Sequence, residues 1–580
     1  MNTFSVWAPK AETVQLMLGD ERRPMVPGPG GWWVLTVHDA GPGTDYAFAI
    51  NGGPPLPDPR SPFQPGGPHG WSRVVDHSAF RWTDQAWTGP KPLSAGVVYE
   101  LHVGTFTPEG TFESATERLG HLVDLGITHV ELLPVCEFPG ERGWGYDGVD
   151  LFAPHHVYGG PDGLKRLIDV CHAHGLGVII DVVYNHLGPD GNYLGAYGPY
   201  FTDRYSTPWG QAVNFDGPGS HEVRRFVIDN ALMWLEDYHA DGLRLDAVHA
   251  IFDSSAVHIL EEMTTAVRAL EARLGRRLLV IAESDLNDPR LVRSVEAGGY
   301  GLDAAWSDDF HHALHAALTG ERGGYYEDFG SLADVADALE RIYVYDGRFS
   351  AHRDRRHGRS ATGLSGHRFI GFLQNHDQVG NRAQGERSCH LVSLGKLKIG
   401  AALVICSPFV PLLFSGEEWA ASSPFCYFTD HQDTDLGRAV TEGRTREFSA
   451  FGWDPGQVPD PQAAATFERS KLDWAELDKE PHAEMLDWHR QLLALRRRLP
   501  DLSDGDVSRI RTVFDEDEGW LVFNRGAATV AANFSAQRRF VPLPPEPGVV
   551  ILASANYIRL AGDGRLDLPP ESVAVLGPLE

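Results

Sequence analysis

"ADGLRLDAVHAI", residues 240–251, sets two opposite charges, Arg244 and Asp246, into a short apolar run beside Leu243, Leu245 and Ala247. Successive side chains of a β-strand point to opposite faces, so Arg244 and Asp246 share one face and the three apolar residues share the other. Such a strand suits the wall of a barrel, with leucines packed outward on helices and the charged pair facing the barrel mouth. A guanidinium beside a carboxylate favours its ionised form, and a carboxylate held in that way is ready to act as a nucleophile.

Seven similar runs accompany it: "VVYELHV" (97–103), "THVELLP" (128–134), "GVIIDVV" (177–183), "LLVIAES" (278–284), "DAAWS" (303–307), "FIGFLQN" (369–375) and "VPLLFSGEE" (410–418). Amphipathic helical stretches such as "GLKRLIDVCHAHG" and "EVRRFVIDNALMWLEDYHA" separate them, which is the pattern of parallel βα units. Eight strands with intervening helices predict a central (β/α)₈ TIM barrel over residues 93–502, with long inserted loops. The 580 residues exceed one ordinary core. Residues 1–92 alternate in short runs ("FSVWAP", "TVQLML", "WWVLTV", "DYAFAI") and predict an N-terminal β-sandwich with a hairpin turn at Asn51-Gly52. The breaker-rich "NGGPPLPDPRSPFQPGGPHG" that follows is expected as an ordered loop against the barrel. Residues 503–580 alternate again and predict an antiparallel C-terminal β domain.

Acidic residues (79) outnumber basic ones (50), for a formal charge of −29, which excludes nucleic acid and anionic membrane as expected partners. Five scattered cysteines without a C-x-x-C pair suggest neither a disulfide framework nor a zinc knuckle. With no signal-like start or membrane-length apolar run, a cytoplasmic protein is expected.

Chemistry in a TIM barrel sits at the C-terminal strand ends, and there the ionisable residues gather: Asp181, Asn185 and His186; Arg244 and Asp246; Glu283; Asp308 and Asp309; His376 and Asp377; Glu417 and Glu418. Glycosidic bonds are broken by one protonated and one ionised carboxyl group flanking an oxocarbenium-like transition state. Asp246 and Glu283, on adjacent strand ends, fit that division, with Glu283 held protonated by desolvation and by the nearby Asp246. Asp377 is a third carboxylate able to hold sugar hydroxyls. Adjacent strand ends imply the short separation, about 5 Å, that accompanies retention of configuration.

At these residues the sequence resembles the α-amylase superfamily, glycoside hydrolase family 13, through "DVVYNH", "GLRLDAVHA", "IAES" and "NHD", in order on strands three, four, five and seven. The resemblance implies Asp246 as nucleophile, Glu283 as acid/base and Asp377 as transition-state stabiliser. It also places Arg244, His186 and His376 around the catalytic sugar, with Tyr146 of "GWGYDG" as a stacking ring. His249, Trp209, Asp308, Asp309, His312, Asn375 and Gln378 complete the expected substrate-binding set. Longer segments, among them "PDPRSPFQPGGPHGWSRVVD", "SDDFHHALHAALTGERGGYYEDF", "DGRFSAHRDRRHGR", "LQNHDQVGNRAQGER", "LLFSGEEWAASSPFCYFTDH" and "FERSKLDW", are similar to a branch of the family acting on maltooligosyltrehalose. Such enzymes hydrolyse the α-1,4 bond next to the terminal trehalose unit. Where many α-amylases carry Lys-His after the nucleophile, this chain has His249 and Ala250, an altered leaving-group side. The alternatives are a glucan-branching transferase, a general α-amylase-type hydrolase and an inactive glucan-binding protein.

Other signals receive plainer readings. "GWGYDG" matches G-x-G-x-x-G but leads into "VDLFAPHHVYGG" instead of a helix, so no dinucleotide cofactor is expected. His311 and His315 have metal-chelating spacing, yet a helix start beside a sugar site is the simpler reading; His155 and His156 are read likewise. Asn185 matches a position many α-amylases use for calcium, but the segment after strand three is short and no metal is expected. Trp209 is expected either to wall the cleft or to anchor its loop as a buried indole.

Overall fold

The computed structural model describes residues 2–450 and 454–578. All eight expected strands close into one parallel barrel: β1 (Val98–Leu101), β2 (His129–Leu132), β3 (Gly177–Val182), β4 (Gly242–Leu245), β5 (Leu279–Ala282), β6 (Ala304–Trp306), β7 (Phe369–Phe372) and β8 (Val410–Phe414). Each pairs with its neighbours in sequence order, and Phe414 of β8 lies beside Glu100 of β1 to close the ring. The strands are shorter than their apolar runs because the flanking residues leave the ladder to build loops.

Parity holds on β4. Leu243 and Leu245 join the large outer core with the helices. Arg244 is fully buried and its guanidinium lies 4.3 Å from the Trp306 ring centroid. Val98, Ile179, Ile281, Trp306, Ile370 and Leu412 fill the barrel interior as a separate apolar cluster. The helix Gly160–Ala173 shows why the outer layer forms: Leu164, Leu167, Ile168 and Cys171 recur at helical spacing and are all buried.

The N-terminal domain contains a three-stranded sheet and a larger antiparallel sheet. Asn51 and Gly52 take φ of 51° and 75°, the double positive φ of a tight hairpin turn, and Asp45–Ile50 then pairs antiparallel with Pro55–Leu56. The breaker-rich loop is ordered against the barrel: Arg60 pairs with Asp229 at 2.8 Å, and Tyr197 donates its hydroxyl to the Pro57 carbonyl at 2.7 Å. The C-terminal domain has five- and three-stranded sheets, all antiparallel. Buried Arg525 ties it to the barrel by donating to the carbonyls of Cys406, Ser407 and Leu502. All five cysteines are free. Among the described residues no helix is long and apolar enough to cross a membrane.

Candidate active site

The mouth of the barrel opens into a cleft of about 390 Å³ lined by residues from the ends of β3, β4, β5 and β7 and from the long loops after β2, β3 and β8. β4 supplies its centre. Beyond Leu245 the chain adds one more ladder bond, Asp246 N–H to the Val182 carbonyl at 3.0 Å, and then turns at Ala247, whose φ is 39°. Left-handed backbone at an alanine costs on the order of 1–3 kcal/mol, and here it aims the Ala247 N–H at the Glu283 carboxylate.

Asp246 is held at both oxygens. Arg244 Nη1 donates to Oδ1 at 2.9 Å, and the Asn185 amide donates to Oδ2 at 2.7 Å. Asn185 thus serves the carboxylate that the family resemblance implies as nucleophile. Arg244 also donates to Asp181 at 2.7 Å, and its Nη2 lies 3.7 Å from Glu283. Burial pushes Asp181 up to about 7, and Tyr146 donates its hydroxyl to that carboxyl at 2.5 Å.

Glu283 sits at the end of β5, its N–H bonded to the Leu245 carbonyl at 3.0 Å. Burial raises its pKa, and the charges of Asp246 and Asp377 push the same way against Arg244 and His249. Two carboxyl groups on neighbouring strand ends therefore meet opposite conditions, one between two donors and the other desolvated beside an anion.

Asp377, 41 % exposed at its side chain, accepts from Asn381 at 3.1 Å. His376 lies beside it with Nε2 3.5 Å from Asp377 Oδ2, its ring stacked on Tyr146 at 5.0 Å and 16°. Trp209 stacks on His186 at 4.3 Å and 8°. At 47 % exposure in the turn between Phe201–Thr207 and Gly210–Val213, it is a cleft wall and not a buried anchor.

The cleft gathers Tyr146, His186, Trp209, Asp246, His249, Glu283, His376 and Asp377 from the expected set, with Arg244 directly beneath. Others lie elsewhere. Asn375 spends its side-chain oxygen on the Gln378 N–H as a helix cap and is 1 % exposed. Asp309 accepts from Asn287, Val344 and Tyr345, so it braces the following loop and is closed to a sugar. His312 is buried against Tyr325, and burial pulls its pKa down to about 3. Gln378 reaches the hydroxyls of Tyr325 and Tyr326. Asp308 is partly buried at the start of the helix Asp308–Thr319, where burial and then Glu283, Asp285, Asp309 and Asp377 raise its pKa strongly.

Sequence reasoning missed Trp144, Asp147, Asn381, Tyr427 and Phe428 in the lining. It also missed a charged rim two residues past Glu283. There Asp285 pairs with Arg353 at 3.1 Å and lies 3.9 Å from His249 Nδ1, while its carbonyl accepts from His357 at 2.7 Å. Arg353 and His357 belong to an inserted hairpin, Asp346–Ser350 and Arg355–Gly358, that brings distant sequence to the cleft.

"GWGYDG" carries Trp144 and Tyr146 into the cleft and begins no helix. Glu137, His155 and His156 are the one trio among the described residues spaced for a metal, but their atoms already engage one another. Glu137 Oε1 lies 3.0 and 2.8 Å from the two Nδ1 atoms, and Oε2 accepts the His156 N–H at 2.9 Å. His311 and His315 are likewise engaged, with Tyr326 and Glu321.

Family models match three parts of the chain: the alpha amylase catalytic domain at residues 63–198, carbohydrate-binding module 48 (isoamylase N-terminal domain) at 2–60, and a domain of unknown function at 506–575. A malto-oligosyltrehalose trehalohydrolase of Arthrobacter ramosus is 49 % identical over 99 % of both chains. One from Rhizobium sp. is 48 % identical over 99 % of this chain and 97 % of its own. A solved Salmonella typhimurium structure assigned to the alpha amylases superposes with TM-score 0.92 at 39 % identity, covering 100 % of this chain and 97 % of that one.

Proposed function

Because this chain belongs to the α-amylase family, glycoside hydrolase family 13, we propose that it hydrolyses the α-1,4-glucosidic bond next to the terminal trehalose unit of maltooligosyltrehalose, releasing trehalose. The full-length similarity to malto-oligosyltrehalose trehalohydrolases supports the substrate. The observation that carries the chemistry is the pair of carboxyl groups on adjacent strand ends: Asp246 held by Arg244 and Asn185, Glu283 with a raised pKa.

Glu283 gives its proton to the glycosidic oxygen as the bond to the anomeric carbon breaks, and trehalose leaves with that oxygen. Asp246 attacks the same carbon from the opposite face and forms a glycosyl ester. Water then enters the leaving-group side, loses a proton to Glu283 and displaces Asp246, so configuration is retained and both residues are restored. Asp377 and His376 hold the sugar undergoing cleavage, with Tyr146 and Trp209 as apolar faces for sugar rings. His249 and the Asp285–Arg353 pair form the polar rim that receives the leaving trehalose. The steps need only side chains and water.

Product analysis on maltooligosyltrehalose beside plain maltooligosaccharide tests the reading. Trehalose released from the first, with slow cleavage of the second, is expected. Equal cleavage of both would reduce the activity to that of a general amylase, and new α-1,6 links in an amylose-fed reaction would make the enzyme a branching transferase.

A further inference from the structure

Glu100 lies at the inner end of β1, 1 % exposed, between Tyr99 and Leu101 in an otherwise apolar run. It spends both oxygens on one residue of another strand end. The His376 backbone N–H donates to Oε2 at 2.9 Å, and His376 Nδ1 donates to Oε1 at 2.6 Å. The imidazole is clamped besides, stacked on Tyr146 with Trp144 and Trp306 against it at 5.5 and 6.2 Å. Nε2 is left facing the cleft beside Asp377.

We propose that Glu100 is a positioning residue for the glycosidase reaction, holding His376 as an imidazolium whose Nε2–H donates to a hydroxyl of the sugar being cleaved while Asp377 accepts from one. The inference rests on the functional reading above. Its logic is the tautomer: with Nδ1–H committed to Glu100, the next proton lost would come from Nε2. The atom facing the sugar would then change from donor to acceptor beside a carboxylate that already accepts.

The surroundings agree. His376 is faced by Glu100 from β1, Glu131 from β2, Asp181 from β3, Arg244 from β4, His102 after β1, and Asp377 beside it. Burial pushes the Glu131 carboxyl well above its ordinary value, Glu100 adding to the effect. Arg244 and Tyr146 engage Asp181, and burial holds His102 neutral, down to about 4. Burial and Arg244 work against a charged His376, and Asp377 with Glu100 outweigh them, raising it to about 9.

The test compares kcat and KM on maltooligosyltrehalose from pH 5 to 10 for the wild type, E100Q, E100D, H376Q and the E100Q/H376Q double variant. E100Q is expected to lower kcat at pH 7 by roughly 10- to 100-fold, and to steepen the alkaline limb and move it down by about one pH unit or more. E100D should restore part of both, and E100Q should cost little more once His376 is already Gln. A uniform loss with a wild-type pH profile, or losses in the two single variants that simply multiply, would overturn the proposal. Should E100Q fail to fold, histidine ¹³Cε1 resonances of the wild type decide, with the signal absent from H376Q assigned to His376. Titration near 9 is expected, and titration at or below the free value of about 6.5 overturns the proposal. Wild-type inactivity on this substrate would instead overturn the functional reading and leave the titration to judge Glu100.

Discussion

The two ends of β4 each carry a buried aspartate, and the two are solvated by the protein in different ways. At the N-terminal end Asp241, 0 % exposed, receives four donors: Trp87 at 2.8 Å, and Arg276, His172 and the Val178 N–H each at 2.9 Å. His172 in turn bridges to Asp84, and so does His239, which ties the segment entering the barrel to its floor. At the C-terminal end Asp246, 8 % exposed, has one side-chain donor on each oxygen and opens into the cleft. Around it Arg244 Nε and Nη2, Asp181 Oδ1 and His249 Nδ1 are buried without a hydrogen-bond partner. Buried charge with every lone pair used stabilises or at least fixes a fold, whereas incompletely satisfied charge is retained where a substrate completes it.

Exchanging the two roles by mutation breaks the comparison if it is wrong. D246N should lower kcat by roughly 10⁴-fold or more and leave the melting temperature within a few degrees, as initial rates and calorimetry would read. E283Q should cost roughly 10²- to 10⁴-fold. On the proposed role of Glu283 as an acid with a raised pKa, wild-type activity should fall as pH rises through that value, and E283Q should lose this part of the alkaline limb while the fall set by His376 near 9 remains. D241N should do the reverse of D246N, destabilising by about 3–5 kcal/mol in urea titration with activity per folded molecule retained.

A smaller effect concerns His376, whose pKa is about 9 in the fold against about 6.5 unfolded. A raised value means stability fully present below about pH 6.5 and lost as pH rises to about 9. H376Q should therefore cost about 3 kcal/mol more at pH 6 than at pH 10, measured by denaturant midpoints. The smallest effect is on the cleft wall: W209A should raise KM by roughly 5- to 10-fold, about 1 kcal/mol, with kcat little changed.

The mouth was more legible in the sequence than the rest because it obeys a simple rule. Ions alternating with leucines in "GLRLD" gave both the strand and the direction of its charges, and acids ending adjacent strands gave the cleft. The same signal was present and unread in "VVYELHV" and "THVELLP", where Glu100 and Glu131 point into the barrel just as Arg244 does. Residues drawn from sequence proximity alone fared worse. Asn375 sits beside a helix start, where backbone N–H groups compete for a side-chain oxygen, and it is used for that; Asp309, in the first turn of its helix, is taken instead by Asn287 and by the Val344 and Tyr345 N–H groups of a distant loop. Arg353 could not be foreseen, since its hairpin reaches Asp285 across 68 residues and no local pattern sets that distance. The floor was illegible for the same reason: Asp84, His172, Asp241 and Arg276 are ordinary surface types until the fold joins them.

The most direct measurement is proton NMR of the wild-type enzyme turning over maltooligosyltrehalose, with the anomeric signals followed before mutarotation. Double displacement by Asp246 predicts that trehalose appears together with a shortened maltooligosaccharide whose new reducing end is first α. A first-formed β anomer would contradict the nucleophilic role of Asp246, and a reaction yielding no trehalose would contradict the substrate.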